Sequence, residues 1–184
     1  NTTDAAAIEH ALDLLSRYDV RFMRIHLQET GLAGWKCHLA TEGVPWRRNI
    51  WAEDSPYIAA ARNVDRLLGR FVEGLQKLGK RSDTLLVLTA DHGNASTGGH
   101  PPLCEDAWIT PLVFLGPRVA RGRALDYAEH IDIAPTICHL MDVAPPNQDG
   151  ASGRVLREIL TDEPAVSEGQ PQRVRQLNLL LSRY

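Results

Sequence analysis

Residues 83–90, with the sequence DTLLVLTA, form a continuous apolar run that leads straight into the polar segment DHGNASTGGH at 91–100. A run of this length without alternation is typical of a strand buried on both faces of a parallel sheet. It follows residues 55–79, where apolar side chains recur with the 3.6-residue period of a helix. A long amphipathic helix followed by a fully buried strand predicts an α/β layered sandwich, with helices flanking a largely parallel sheet.

The remaining segments extend the same alternation of helices and strands. In chain order we predict a helix at 4–17, a strand at 20–27, a long loop at 28–50, a second buried strand at 108–116, a helix at 130–143 and a short helix at 152–160. Residues 1–161 are therefore expected to form α/β structure, and residues 162–184 a polar connector with a C-terminal helix or tail.

The composition of the chain limits the classes of binding partner and the environment that we predict for it. The 184 residues carry a formal net charge of −3, so no broad basic face indicates binding to nucleic acid. No apolar run reaches the roughly 18–20 residues that a membrane span needs. The three cysteines are odd in number and widely spaced, which predicts free thiols rather than a disulfide framework. The sequence assigns no cellular compartment.

The chemistry-bearing residues follow the apolar run at 83–90. Asp91 and His92 stand at its carboxyl end, where α/β sheets gather their ligands. Glycines at 98 and 99 allow the chain to fold back, so that His100 can approach. Carboxylate oxygens and imidazole nitrogens are ordinary ligands of zinc and manganese. The alternative is structural: Asp91 caps the following turn, and His92 makes a hydrogen bond in the core.

Several segments together resemble the alkaline phosphatase superfamily, and most closely its type I phosphodiesterase/nucleotide pyrophosphatase branch, with relatives among the ethanolamine-phosphate transferases and sulfatases. The segment LTADHGN followed by GGH is similar to the metal-binding segment of that superfamily. ITPLVFLGPRV resembles its next strand, and HIDIAPTICHLMDVAPPNQDGASGRVL its DIAPT helix and the turn that follows. The resemblance covers roughly residues 5–160 and implies the C-terminal portion of such a domain.

The resemblance implies two divalent metals, zinc or manganese, with Asp91 and His92 on one and His100 on the other. It also implies a D-x-x-G-H cluster after residues 20–27. When the glycine of that motif is aligned on Gly34, Gly31 stands in place of the aspartate and Trp35 in place of the histidine, and neither can ligate a metal. Glu29 and His38 are candidate substitute ligands. The other interpretation is that Trp35 plugs the emptied site.

The resemblance further implies a metal-dependent hydrolase of phosphate or sulfate esters. The Thr or Ser nucleophile of such enzymes has no counterpart here, since Thr2 and Thr3 precede a helix and are expected to cap it. We therefore assign no catalytic residue and expect no phosphodiesterase activity from this chain alone.

Two other interpretations stay open. The chain could be a catalytically inactive relative that serves binding or assembly, or it could be a phosphoglycerate mutase-like isomerase. An uncovered sheet edge would favour a homo-oligomer, or a missing N-terminal half that covers it.

Overall fold

The computed structural model describes residues 3–145 and 153–162. Within these ranges the elements are α1 (Asp4–Arg17), α2 (Glu29–His38), α3 (Pro56–Lys77), β1 (Leu86–Thr89), α4 (Glu105–Trp108), β2 (Leu112–Leu115) and α5 (Ile133–Leu140). Short 3₁₀ turns occur at Arg81–Asp83, His130–Asp132 and Arg157–Ile159. The chain divides into two compact units, residues 1–113 and residues 114–184. None of the described helices is long and apolar enough to cross a membrane.

The core of the first unit lies between α1 and α3. Its buried side chains come from one face of each helix, and they are Ile8, Ala11, Leu67, Phe71 and Leu75. Both helices were predicted from their periodicity, and both are confirmed. Thr3 caps α1 by accepting a hydrogen bond from the backbone N–H of Ala6 (3.2 Å). Ser55 caps α3 in the same way, and Pro56 occupies the first turn.

The strand predicted at 20–27 is wrong. Residues 22–28 have no regular secondary structure and pair with no strand among the described residues. Their alternating apolar side chains Met23, Ile25 and Leu27 instead pack against the core between α1 and α3. The alternation therefore indicated correctly which side chains face the core. It did not indicate whether a neighbouring strand is present to form backbone hydrogen bonds with this segment.

The unstructured loop predicted at 28–50 is also wrong, because α2 occupies Glu29–His38. Its N-cap residue, Gln28, makes no side-chain capping bond. The carboxylate of Asp4 takes that role, accepting from the backbone N–H groups of Gln28 (2.8 Å) and Glu29 (3.1 Å). The side chain of Glu29 returns the interaction by accepting from the backbone N–H of Asp4 (3.1 Å). The N-termini of α1 and α2 thus cap one another.

The two predicted buried strands exist but are short. Strand β1 covers four residues of the apolar run, and Leu88 and Thr89 are exposed, so this strand is not buried on both faces. Strand β2 alternates between half-buried and exposed residues. The two strands pair in a two-stranded sheet. Helices with a small sheet are consistent with part of an alkaline phosphatase-like α/β domain, but these strands do not establish the large parallel sheet that we predicted.

In the second unit, the helix predicted at 130–143 begins with a 3₁₀ turn and continues as α5. Asp132 immediately precedes α5, and its buried carboxylate accepts from the backbone N–H groups of Glu129 (3.0 Å) and Arg154 (2.9 Å). The hydroxyl of Thr136 accepts from the backbone N–H of Leu156 (3.0 Å). The helix predicted at 152–160 is reduced to the 3₁₀ turn at Arg157–Ile159. The DG turn at 149–150 and residues 163–184 of the predicted connector lie outside the described residues.

Candidate functional site

The loop after β1 is held in place by the backbone of α4. The N–H of Gly93 donates to the carbonyl oxygen of Ala107 (2.8 Å). A Cβ atom at Gly93 would collide with the carbonyl oxygen of Asp106 and lie 2.6 Å from that of Ile109. Only glycine therefore fits directly after His92, because two backbone carbonyls occupy the space that any side chain would need. The loop is fixed at the point where it carries its polar residues.

A tight turn then reverses the chain and brings the two histidines together. The N–H of Gly98 donates to the carbonyl oxygen of Ala95 (2.7 Å), and that of Ala95 to the carbonyl oxygen of Gly99 (2.8 Å). Gly98 and Gly99 adopt left-handed conformations with φ of 81° and 72°. As a result, the imidazole rings of His92 and His100 have their centroids 4.0 Å apart with an interplanar angle of 36°.

Asp91 and His92 also lie side by side. Oδ2 of Asp91 is 3.6 Å from Nε2 of His92, and both side chains reach solvent. Nδ1 of His92 lies 2.9 Å from the carbonyl oxygen of Gly93. Because a carbonyl only accepts, a neutral ring in this contact carries its proton on Nδ1 and its lone pair on Nε2, the nitrogen close to Asp91. A carboxylate oxygen and an imidazole lone pair at this separation can share one divalent cation.

Trp35 makes an edge contact with the ring of His100. The centroid of its indole is 5.5 Å from the centroid of the His100 ring, with an interplanar angle of 82°. The same indole is 5.5 Å from the ring of His38, at 89°. Trp35 thus contacts both His38 and His100, and 42% of its surface is exposed.

The other candidate ligands have different surroundings. Both carboxylate oxygens of Glu29 are engaged, one by the backbone N–H of Asp4 and the other by Nδ2 of Asn63 (2.9 Å). A Cβ atom at Gly31 would meet no atom within 4 Å. Nδ1 of His38 is buried and has no hydrogen-bond partner. The structure therefore brings Asp91, His92 and His100 together and places Glu29 in a capping network.

Sequence reasoning missed the contact that joins the two segments. A Cβ atom at Gly34 would lie 2.5 Å from Oδ1 of Asn94, and one at Gly98 would collide with the carbonyl oxygen of Gly34. Helix α2 and the 93–100 loop therefore pack through glycines on both sides. The glycine of the predicted D-x-x-G-H motif was visible in the sequence, but nothing there indicated that Asn94 would fill the space beside it.

The side chains gathered here can supply only part of the ligand set of a metal ion. Across the described ranges, no group of three or more His, Cys, Asp or Glu side chains is placed to hold an ion. Asp91 and His92 can supply two ligands, whereas the ring of His100 lies against that of His92. The remaining ligands of an ion at this position must come from water, substrate or residues beyond this arrangement.

The comparison with known proteins identifies the family of this chain. The Sulfatase family model matches residues 10–143, which include both α2 and the 91–100 loop. The chain is 33% identical over 100 residues to a sulfatase of Formosa agariphila, covering 52% of this chain and 19% of that protein. It is 36% identical over 95 residues to a 2,3-bisphosphoglycerate-independent phosphoglycerate mutase of Shewanella oneidensis, covering 48% and 17%.

A third relative is a low-salt glycan biosynthesis sulfotransferase of Haloferax volcanii, 35% identical over 75 residues and covering 35% of this chain and 18% of that protein. The chain thus spans less than a fifth of the length of each of these three relatives.

Proposed function

Because this chain belongs to the Sulfatase family, within the alkaline phosphatase superfamily, we propose that it carries part of the metal centre of an ester hydrolase. In this proposal Asp91 and His92 hold one divalent cation, zinc or manganese, and His100 lines the same site. The substrate class is a phosphate or sulfate ester. Within that class we favour the type I phosphodiesterase branch, on the resemblance of the DIAPT segment and of the loop at 91–100.

The observation that carries the proposal is the arrangement of Asp91 and His92. In a neutral His92 whose Nδ1–H donates to the carbonyl oxygen of Gly93, the lone pair is left on Nε2, which lies 3.6 Å from Oδ2 of Asp91. An accidental pair of exposed polar residues has no need of a fixed tautomer, whereas a metal-binding histidine uses a hydrogen bond on one nitrogen to orient the other. The backbone contacts of Gly93 hold this geometry rigidly.

A cation held here would act as a Lewis acid on a phosphoryl or sulfuryl oxygen. The contribution of this chain is then to position the cation. Asp91 supplies negative charge and His92 a neutral nitrogen, which together leave positive charge available to a substrate oxygen. No residue of the described chain is assigned as the nucleophile: the hydroxyl of Thr3 already accepts the capping hydrogen bond from Ala6.

A second function is favoured by one observation, the position of Trp35. An indole beside His100 and a glycine at position 31 leave the second metal without two of the ligands that the resemblance implies. A relative that has lost catalysis and serves binding or assembly would tolerate both residues. The similarity to phosphoglycerate mutases also keeps a mutase-like isomerase open; no feature of the site favours it over the hydrolase.

Calorimetric titration with zinc and with manganese tests the proposal on the unmodified chain and on Asp91→Ala. We expect one ion to bind to the unmodified chain, with affinity reduced at least tenfold by the substitution, because half of the protein's ligand pair is removed. Asp83→Ala is the matched control, since Asp83 is an exposed carboxylate in the 3₁₀ turn that precedes β1. Equal affinity in Asp91→Ala and Asp83→Ala would overturn the assignment and leave the binding-module function.

A further inference from the structure

Three exposed cationic side chains lie around the C-terminal end of α2, and we call them the basic cluster: Lys36, Arg47 and Arg48. Lys36 belongs to the last turn of the helix. Nε of Arg47 donates to the carbonyl oxygen of Ala40 (3.1 Å), just beyond that turn. The backbone N–H of Arg48 donates to the carbonyl oxygen of Cys37 (2.9 Å). The segment that carries the two arginines is therefore anchored to the end of α2.

No carboxylate balances the basic cluster within the part of the chain that the structure describes. None of its members takes part in an ion pair there. The two carboxylates nearest to it in the sequence, Glu42 and Glu53, are exposed and form no ion pair either. Nζ of Lys36 instead lies 5.7 Å from the centroid of the Trp46 ring, as in a cation–π contact. Like charges held around one helix end repel one another, and an anion that binds among them relieves this repulsion.

A purely structural role accounts for only one member of the cluster. The bond from Arg47 satisfies a carbonyl at the end of α2, as cationic side chains at helix C-termini commonly do. Arg48 is different, because its backbone has a φ of 51°, in the left-handed region that glycine adopts more readily. An arginine held in a conformation that suits glycine points to a role for the side chain outside the folding of the chain.

The basic cluster is tied by its backbone to the 93–100 loop of the candidate metal site. Ile50, two residues after Arg48, is fully buried, and its backbone N–H donates to the carbonyl oxygen of Ser96 (3.0 Å). The 46–50 segment is thus hydrogen-bonded to the end of α2 and to the loop that carries His100. The cluster is fixed beside the loop rather than on a separate part of the surface.

We infer that the basic cluster binds a second anionic group of the substrate, a sulfate or phosphate group other than the one at the proposed cation. Guanidinium groups present paired N–H donors that match the oxygens of such a group, and the lysine adds a further positive charge. The ligand is then an ester with at least two sulfate or phosphate groups, on a saccharide or on a nucleoside. The inference rests on the proposed function only in taking this ligand to be a substrate.

Calorimetric titration in the presence of a chelator tests the cluster apart from any metal. The probes are a trisulfated heparin disaccharide and adenosine 3′,5′-bisphosphate, with the unsulfated disaccharide as reference, and the tighter probe identifies the source of the anionic group. We expect binding of at least one charged probe and none of the reference. The affinity should fall at least tenfold in the double variant Lys36→Gln with Arg48→Gln, because charged hydrogen bonds are lost. It should also fall in about 0.5 M sodium chloride, which screens exposed charges.

The matched control is Arg62→Gln with Lys77→Gln, which removes the same charge from two exposed residues of α3. Equal affinity of the two double variants would overturn the inference, as would failure of both charged probes to bind to the unmodified chain. Arg48→Gly separates binding from folding. It should lower the affinity severalfold while leaving the midpoint of urea unfolding unchanged or higher, since glycine suits the left-handed backbone. A lower midpoint with unchanged affinity would show that Arg48 serves the fold alone.

Asp91→Ala distinguishes this inference from the proposed function. The variant should bind the charged probes as the unmodified chain does, because the basic cluster does not include Asp91. If zinc and manganese fail to bind to the unmodified chain while the probes bind to the cluster, the proposed function fails and the ligand is not a substrate. If a metal binds and neither probe does, only the second anion site is contradicted.

Discussion

Gly93 controls the geometry of the site more tightly than any of its polar residues. We predict that Gly93→Ala lowers the free energy of unfolding by about 2 kcal/mol or more, because its Cβ would collide with the backbone carbonyl of Asp106, which cannot turn aside like a flexible side chain. Gly31→Ala is the matched control in α2, where a Cβ meets no atom within 4 Å. That substitution should stabilise the protein by about 0.5–1 kcal/mol, since alanine is the better helix former.

Urea denaturation of the two variants measures both effects. Equal stability of Gly93→Ala and the unmodified chain would show that the loop relaxes away from α4, and the fixed orientation of His92 would then lose its support.

The same residues show what could be read from the sequence at this scale. The convergence of His92 and His100 was predictable, because the paired glycines at 98 and 99 indicate a reversal of the chain, and the two rings do lie together. Their role as metal ligands stays a prediction. The contact of Trp35 with His100 was not predictable, since it depends on the packing of α2 against a loop some sixty residues further along the chain.

At the scale of secondary-structure elements, α2 is a helix that depends on a residue distant in the sequence. Its sequence, ETGLAGWKCH, contains two glycines, and no local residue caps its first turn. Local propensity therefore favoured a loop. The helix forms because Asp4, 24 and 25 residues away from the N–H groups that it accepts, supplies the cap. Helices α1 and α3 carry their own caps and apolar faces, which is why their periodicity predicted them correctly.

Asp4 should therefore contribute to the stability of two helices at once. Its side chain is 2% exposed and accepts two backbone N–H groups, so Asp4→Ala leaves both donors unpaired. We predict a loss of about 1–3 kcal/mol in the free energy of unfolding, and a smaller loss for Asp4→Asn, whose single amide oxygen can still accept. Asp13→Ala in the same helix is the control, because it removes only an exposed pair with Arg17.

Chemical denaturation of the three variants followed by circular dichroism distinguishes the two situations. If Asp4→Ala were no less stable than Asp13→Ala, α2 would not depend on the cap from α1, and its formation would need another cause.

At the scale of the whole molecule, the strands are what the sequence predicted least well. The apolar run at 83–90 predicted a strand that is buried on both faces, but Leu88 on β1 and Val113 on β2 are exposed. An apolar composition predicts that a strand is buried, but it does not predict which other part of the structure packs against the strand. In the residues described, nothing packs over these two side chains closely enough to bury them.

We expect these exposed apolar side chains of the sheet to drive self-association, since exposed apolar strands favour contact with further protein surface. Light scattering should show an apparent mass that rises with concentration. The double variant Leu88→Thr with Val113→Thr should reduce the rise, because threonine is polar but, being β-branched, is well suited to a strand. Leu103→Thr is the control, because Leu103 is 91% exposed but lies outside both strands. A constant monomer mass, or an equal reduction by Leu103→Thr, would mean that exposure of the sheet does not determine how these molecules associate.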